Sequence, residues 1–261
     1  SHQTGNFAYK HIAMQRIICI IFSFFLVSGV FAQAKMNPIP DTIESGFYSA
    51  KYGKMTIEGN FENYLQTGDW ITYLESGQVH KLEQYKDGKK DGVFIRIGTR
   101  GYIEEQSQYV NGELNGRFLT FASGGRVKSD ENYKNGLLEG KRTLYYDYRS
   151  IIQEESYFLN GLKDGPTKWY NSEGKLIAEY NYKQGAFEGL KKTYYEDESL
   201  KSEQQFSDNI AQGYFKEYYR NGNIKTKGYY KGGKKAGEWK EFGEDGQETE
   251  VIRYNNGELE K

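Results

Sequence analysis

From residue 61 onward, apolar and polar positions alternate in short runs, and a turn interrupts them at a constant interval. In the run 224–230, Ile224, Thr226, Gly228 and Tyr230 fall on one face of an extended chain, with Lys225, Lys227 and Tyr229 on the other. This follows from the period of two along a strand. Leu176, Ala178, Tyr180 and Tyr182 repeat the arrangement, as do Leu200, Ser202, Gln204 and Phe206. Runs of this kind bounded by Asn-Gly or Asp-Gly predict β-hairpins, because the favoured two-residue turn needs positive φ at both central positions.

The hairpins recur as one module. YKDGKKDGVF at Tyr85 returns as YVNGELNGRF at Tyr109, YKNGLLEGKR at Tyr133, FLNGLKDGPT at Phe158, YKQGAFEGLK at Tyr182, FSDNIAQGYF at Phe206 and YKGGKKAGEW at Tyr230. With Phe61 and Tyr254 the leading rings are spaced by 24 residues, except for 25 between Tyr133 and Phe158. The second glycine of each turn, such as Gly237, is commonly followed two places on by a ring (Trp70, Phe94, Phe118, Phe215, Trp239), and another ring usually follows five places on. Each unit reads as a strand, a tight turn, a second strand and a seven-residue glycine-bounded connection. The leading rings then form a ladder through the protein.

The fold class expected is all-β: an elongated single-sheet antiparallel β-meander of tandem hairpin repeats. No lone hairpin is stable, so each unit buries its apolar side on its neighbours. Eight units of two strands, about 4.8 Å apart, would span on the order of 80 Å. Residues 61–261 hold eight full units and a partial ninth. Residues 44–60 read as a degenerate N-terminal cap, since YGKMTIEGNF resembles a second strand, and 33–43, with Pro38 and Pro40, as a linker. The extra residue within 146–156 predicts a longer turn or a bulge.

The pattern in YKGGKKAGEWKEF and YVNGELNGRFLTF resembles the bacterial variant of the MORN repeat, the membrane occupation and recognition nexus, over roughly residues 53–261. Arg142, Thr167 and Lys191 depart from it, standing where the first-strand ring would be. The resemblance implies an antiparallel meander without intrinsic catalysis, acting as a scaffold or binding surface. The toxin–antitoxin label of some bacterial members fits poorly with a chain that carries an export signal.

That signal is MQRIICIIFSFFLVSGVFAQA, from Met14: a basic residue, an apolar run from Ile17 to Val27, and small residues around Ala32. It has the layout of a secretory signal peptide, 14–32, with retention as a membrane anchor the alternative; the apolar run is shorter than the roughly 20 residues a span needs. Residues 1–13 precede Met14 and read as upstream or expression-derived sequence. The chain is expected to be exported, to the periplasm or the cell exterior. Cys19, the only cysteine, lies inside the apolar run, so disulfides are not expected to stabilise the mature chain.

Composition narrows the chemistry. Lys and Arg number 35 against 36 Asp and Glu, for a net charge of −1. No field of one sign would draw nucleic acid or an anionic bilayer, and membrane association has no support in the sequence. Aromatic residues make up 16%, with 24 Tyr and 31 Gly, which suits short strands and turns better than buried helices. Beyond residue 33 there is one histidine, His80, read as an exposed strand residue. Multi-His metal sites and Cys-His nucleophiles are therefore not expected. Carboxylate pairs such as Glu104-Glu105 and Glu154-Glu155 read as solvated charge, and Asp87–Asp91 lacks the alternating oxygens of a calcium loop. Lys231, Lys234 and Lys235 could make one turn an anion loop, but most copies of that turn lack the cluster. The chain is expected to be no enzyme and to need no cofactor.

Two functions remain from sequence. One is a protein-interaction scaffold of the cell envelope. The alternative is glycan or cell-wall binding through outward rings, for which Trp169, Tyr195, Tyr219, Tyr146 and Tyr229 are the candidates. In pairs such as Trp169-Tyr170 and Tyr194-Tyr195 one ring must leave the packed face. A regular trough of such rings would favour glycan; scattered rings amid mixed charge would favour a protein partner.

Overall fold

The computed structural model describes residue 40 and residues 42–260. The segment read as a signal peptide, the residues before it and most of the stretch read as a linker lie outside them. The described residues contain no helix and form one open antiparallel sheet in which strands pair in chain order. The tandem-hairpin meander read from the sequence is the observed fold.

Every tight turn of the repeat carries two residues with positive φ: Asp87-Gly88, Asn111-Gly112, Asn135-Gly136, Asn160-Gly161, Gln184-Gly185, Asp208-Asn209, Gly232-Gly233 and Asn256-Gly257. This is the twist that matches antiparallel strands. Asn209 takes the glycine position at φ 66°, and its side chain compensates by accepting a hydrogen bond from the Phe187 N–H at 2.8 Å.

The connections at the opposite edge differ from the seven-residue expectation. Between Lys89–Ile97 and Ile103–Val110 the loop is closed by Gly98 N–H to the Tyr102 carbonyl and Gly101 N–H to the Gly98 carbonyl, both 2.9 Å. Three residues make the turn, the last, Gly101, in the left-handed region at φ 82°. The remaining positions join the ladder. The extra residue of 146–156 enlarges this loop, which there closes from Tyr146 N–H to the Ile151 carbonyl.

The second glycine of each unit lies in the strand rather than in the turn. Gly92 faces Tyr109, Gly116 faces Tyr133, Gly213 faces Tyr230 and Gly237 faces Tyr254. On its other side the glycine sits in a bulge. Glu83 pairs with Phe94 and Tyr85 with Lys90, so three residues oppose Gln84 alone. Gly92 adopts φ 115°, and Gln84 Oε1 takes up the Val93 N–H at 2.8 Å. Such bulges bend a strand. Repeated along the sheet, the bend gathers most of the buried side chains on one face, with Leu119 and Thr143 buried on the other.

That inner face carries Trp70, Phe94 and Trp239, exposed by 2%, 7% and 3%. The leading rings do not stack directly into a ladder; first-strand rings bridge them. Trp70 lies 5.2 Å from Phe61 and 6.1 Å from Tyr85, and Trp239 lies 5.0 Å from Tyr230 and 6.2 Å from Tyr254. Large and small residues interlock across strands: Ser107 opposite Phe94, Gly228 opposite Phe215, and Tyr180 opposite Thr167. Thr167 and Lys191 therefore leave room that Tyr180 fills, with Lys191 Nζ 4.9 Å from its ring centre. Arg142 replaces a bridging ring by lying 4.9 Å over Phe158.

The first described strand, Gly46–Tyr52, obeys the same code. Gly46, at φ 122°, faces Phe61, and Tyr48 packs 5.7 Å from Phe61 and 6.1 Å from Trp70.

Candidate interaction surfaces

At the turn edge most of the backbone donors are already used. Gly88 N–H bonds the Gln66 carbonyl, Gly112 N–H that of Lys90, and Gly233 N–H that of Ala211, at 2.8–3.0 Å. The first turn residue is held by a side chain from the preceding unit: Asn111 N–H by Asp91, Asn160 N–H by Glu139, Gln184 N–H by Asp164, each at 3.0 Å. In the lysine-rich turn, Gly232 N–H bonds Gln212 Oε1 at 2.8 Å. A phosphate loop works by pointing free N–H groups at its ligand. Here those of Gly232 and Gly233 stitch neighbouring units together, and Lys235 Nζ lies 4.1 Å over the Trp239 ring.

The five candidate rings fall on three surfaces. Trp169 is on the inner face, half-buried between Glu154 and Ala178, with Lys163 Nζ 5.1 Å from its ring. Tyr229 is on the outer face, packed edge-on against Tyr214 at 5.3 Å. Tyr146, Tyr195 and Tyr219 form a file at the loop edge. Each is half-buried, and each hydroxyl donates to a main-chain carbonyl of the next unit: Tyr146 to Tyr170 at 2.8 Å, Tyr195 to Tyr218 at 2.7 Å, Tyr219 to Phe242 at 2.8 Å. Arg220 covers the Tyr195 ring at 4.9 Å and Lys201 at 5.7 Å. These three rings clasp one unit to the next.

The file is interrupted toward the N-terminus. Ala122 and Gly98 take the equivalent position before Tyr146, and Asn171 takes it between Tyr146 and Tyr195; cavities of about 350 Å³ lie beside Gly98 and beside Ala122, and one of about 420 Å³ beside Tyr146. One unit before Gly98, Leu74 holds the position, and His80 Nδ1–H donates to the Ile97 carbonyl at 2.7 Å. His80 thus serves the backbone and is half-buried, not the exposed strand residue expected.

The outer face changes character along the sheet. Its central row runs Ile71, Leu82, Ile95, Gln106 and Leu119 at the N-terminal side, passes through Asp130 and Thr143, and alternates charge through Glu155, Lys168, Glu179, Lys192, Glu203 and Lys216 before reaching Lys227 and Lys240. The charged half is tied by tyrosines: Tyr194 donates to Glu179 at 2.6 Å, Tyr218 to Glu203 at 3.0 Å and Tyr170 to Glu155 at 3.2 Å. The Tyr194 hydroxyl bond, with help from Lys168, holds the Glu179 carboxyl below its usual range. The Lys141 bond does the same for Glu155. Burial, then the facing carboxylate, pushes Tyr170 up to about 12; Tyr218 also rises to about 12, through burial and its bond to Glu203.

One charged group is enclosed on the inner face. Glu154, 3% exposed, bonds Arg142 at 2.9 Å and Lys163 at 2.8 Å. Burial pushes its carboxyl up, but the two cations outweigh that and leave it lowered. Among the described residues no group of three or more His, Cys, Asp or Glu converges as a metal site requires. No described helix is long and apolar enough to cross a membrane.

Four segments, residues 66–87, 163–184, 187–208 and 211–231, match the MORN repeat variant. Each runs from just after one tight turn into or up to the next, so it contains a first strand, a loop and a second strand. The stretch 88–162 between the first two matches contains Gly98, Ala122 and Arg142. No curated protein matches the chain.

Proposed function

We propose that this chain is a non-catalytic, exported repeat protein that serves as a protein-interaction scaffold of the cell envelope. Export rests on the signal-peptide layout of residues 14–32. The interaction role rests on a tandem-hairpin sheet similar over four segments to an interaction repeat, whose turn and strand polar groups are engaged in joining units.

The observation that favours a protein over a glycan is the dispersal of the candidate rings. Trp169, Tyr229 and the Tyr146–Tyr195–Tyr219 file occupy separate surfaces, and the hydroxyls of the file are committed to backbone. A sugar-stacking trough needs ring faces in one open row; the outer face offers alternating Glu and Lys instead, which suits recognition by charge complementarity.

Two measurements test the reading. The full chain, expressed in a bacterial host, is fractionated: recovery of a shortened product in the envelope or medium supports export, and retention of the uncleaved chain in the cytoplasm sinks it. Residues 33–261 are then incubated with peptidoglycan and a polysaccharide panel. Saturable binding lost in a Trp169→Ala, Tyr195→Ala, Tyr219→Ala variant with unchanged circular dichroism would replace the protein reading with the glycan one.

A further inference from the structure

The charged half of the outer face is its own complement. Glu155, Lys168, Glu179, Lys192, Glu203 and Lys216 stand on six successive long strands, each directly opposite the next. Read in reverse, this row has Lys wherever it had Glu. A two-fold axis parallel to the strands, passing between Glu179 and Lys192, performs that reversal when a second copy is laid face to face on the first. It sets Glu179 against Lys192 of the second copy, Lys168 against Glu203 and Glu155 against Lys216, and each contact occurs twice. An axis along the row would instead set every charge on its like. Moving the axis by one strand sets Glu203 against Thr143 on one side, or Lys168 against Lys227 on the other.

The charges are held in place for such a contact. Tyr170, Tyr194 and Tyr218 each bond one carboxylate oxygen, of Glu155, Glu179 and Glu203, so these acids cannot swing away. Lys168 and Lys192 approach Glu179 and Glu203 at 3.2 and 3.9 Å and stay partly exposed. An ammonium has three donors, so a carboxylate arriving from above adds to the pair already present. An independent feature falls on the same axis. Tyr157 and Tyr214, exposed by 41% and 66%, lie on the strands of Glu155 and Lys216, two residues nearer the tight turns. The operation that joins Glu155 to Lys216 lays Tyr157 on Tyr214 of the other copy, which covers both rings.

We propose that the charged half of the outer face is a contact between two copies of this chain, packed face to face about a two-fold axis between Glu179 and Lys192. This names the partner of the charge-complementary surface described above and rests on that reading. Sheets stacked this way keep their strands nearly aligned. Strand twist of roughly 20–25° per step turns distant rows away from each other, so the contact centres on Glu179, Lys192 and their neighbours. The apolar row from Ile71 to Ile95 lies outside it.

Residues 33–261, which include every described strand, are followed by sedimentation velocity. A dimer is expected at about 50 mM salt, weakened at least about ten-fold at about 500 mM as the charges are screened. Glu179→Lys and Lys192→Glu each set like charges together at both symmetry-related contacts, and each alone is expected to be monomeric with unchanged circular dichroism. Mixed in equal amounts, the two variants are expected to recover a heterodimer, because opposite charges then face each other again. Lys192→Gln, which removes the charge without opposing it, is expected to weaken the dimer about five-fold. A monomeric wild type at low salt, a dimer that both charge reversals leave intact, folded variants that stay monomeric when mixed, or an unweakened Lys192→Gln dimer overturns the proposal. Export and glycan binding have their own measurements, so this idea can fail while the scaffold reading stands.

Discussion

The indole of Trp239 fills the space that a Cβ on Gly228 would occupy, and Trp70 stands in the same relation to Gly59. Neither glycine has the positive φ that explains most other glycines of the chain. They are there because an indole lies flat on the neighbouring backbone, a close approach that any side chain would block.

Gly228→Ala is accordingly expected to destabilise the C-terminal units by about 2 kcal/mol, the usual range for forcing extra volume into a packed site. Alanine normally stabilises a strand relative to glycine, so the sign itself is diagnostic. In a Trp239→Leu background the substitution should be close to neutral. Urea unfolding of the four proteins of this cycle measures the coupling, and a neutral Gly228→Ala in the wild type contradicts the packing argument.

Glu154 neutralises two cations from a site that is 3% exposed. Removing it should cost about 3 kcal/mol, since Arg142 and Lys163 would keep their charge in a desolvated place. Glu154→Gln tests this by chemical denaturation. Replacing all three groups with apolar residues of similar volume should recover most of the loss, because the pair's own attraction barely exceeds the cost of its desolvation.

The loop-edge tyrosines make a separable contribution. Tyr195→Phe keeps the ring and removes only the bond to the Tyr218 carbonyl, for a loss of about 1 kcal/mol. Tyr146→Phe and Tyr219→Phe should each cost about the same, and the triple variant their sum within about 0.5 kcal/mol. Amide exchange in the loops that follow should quicken in step. Unchanged exchange in the triple variant would show that the clasps do not hold the edge.

The tyrosine–carboxylate ties set limits of pH at both ends. The Glu155 and Glu179 carboxyls are lowered in the folded chain, so their stabilisation is present above the unfolded value near about 4 and is lost as pH falls through the lowered folded values. Tyr170 and Tyr218 are raised to about 12, so their contribution is intact below the unfolded value near about 10 and disappears as pH climbs toward the folded value. Melting temperature should therefore be flat between roughly pH 5 and 10 and fall on both sides. Tyr170→Phe with Tyr218→Phe should soften the alkaline fall; an identical alkaline limb would assign it to other groups.

Much of the fold was legible because its signals are local. Asn111-Gly112 or Asn160-Gly161 states a turn with two positive φ values in two letters, and the spacing of the leading rings repeats it down the chain. Another signal was present and went unread. An acid or amide stands before the second glycine in most units, at Asp91, Asn115, Glu139, Asp164, Glu188 and Gln212. Several of these hold the first N–H of the next turn, a contact about 20 residues away that composition cannot reveal.

By itself the sequence determined the repeat length, the turn chemistry and which residues share a strand face, since each depends on neighbours a few bonds apart. The tertiary structure alone decided which residue meets which across strands. The bulge at Gly92 and its counterparts displaces the register by two residues, so a glycine read as part of a turn faces a tyrosine, and rings expected to stack are bridged instead.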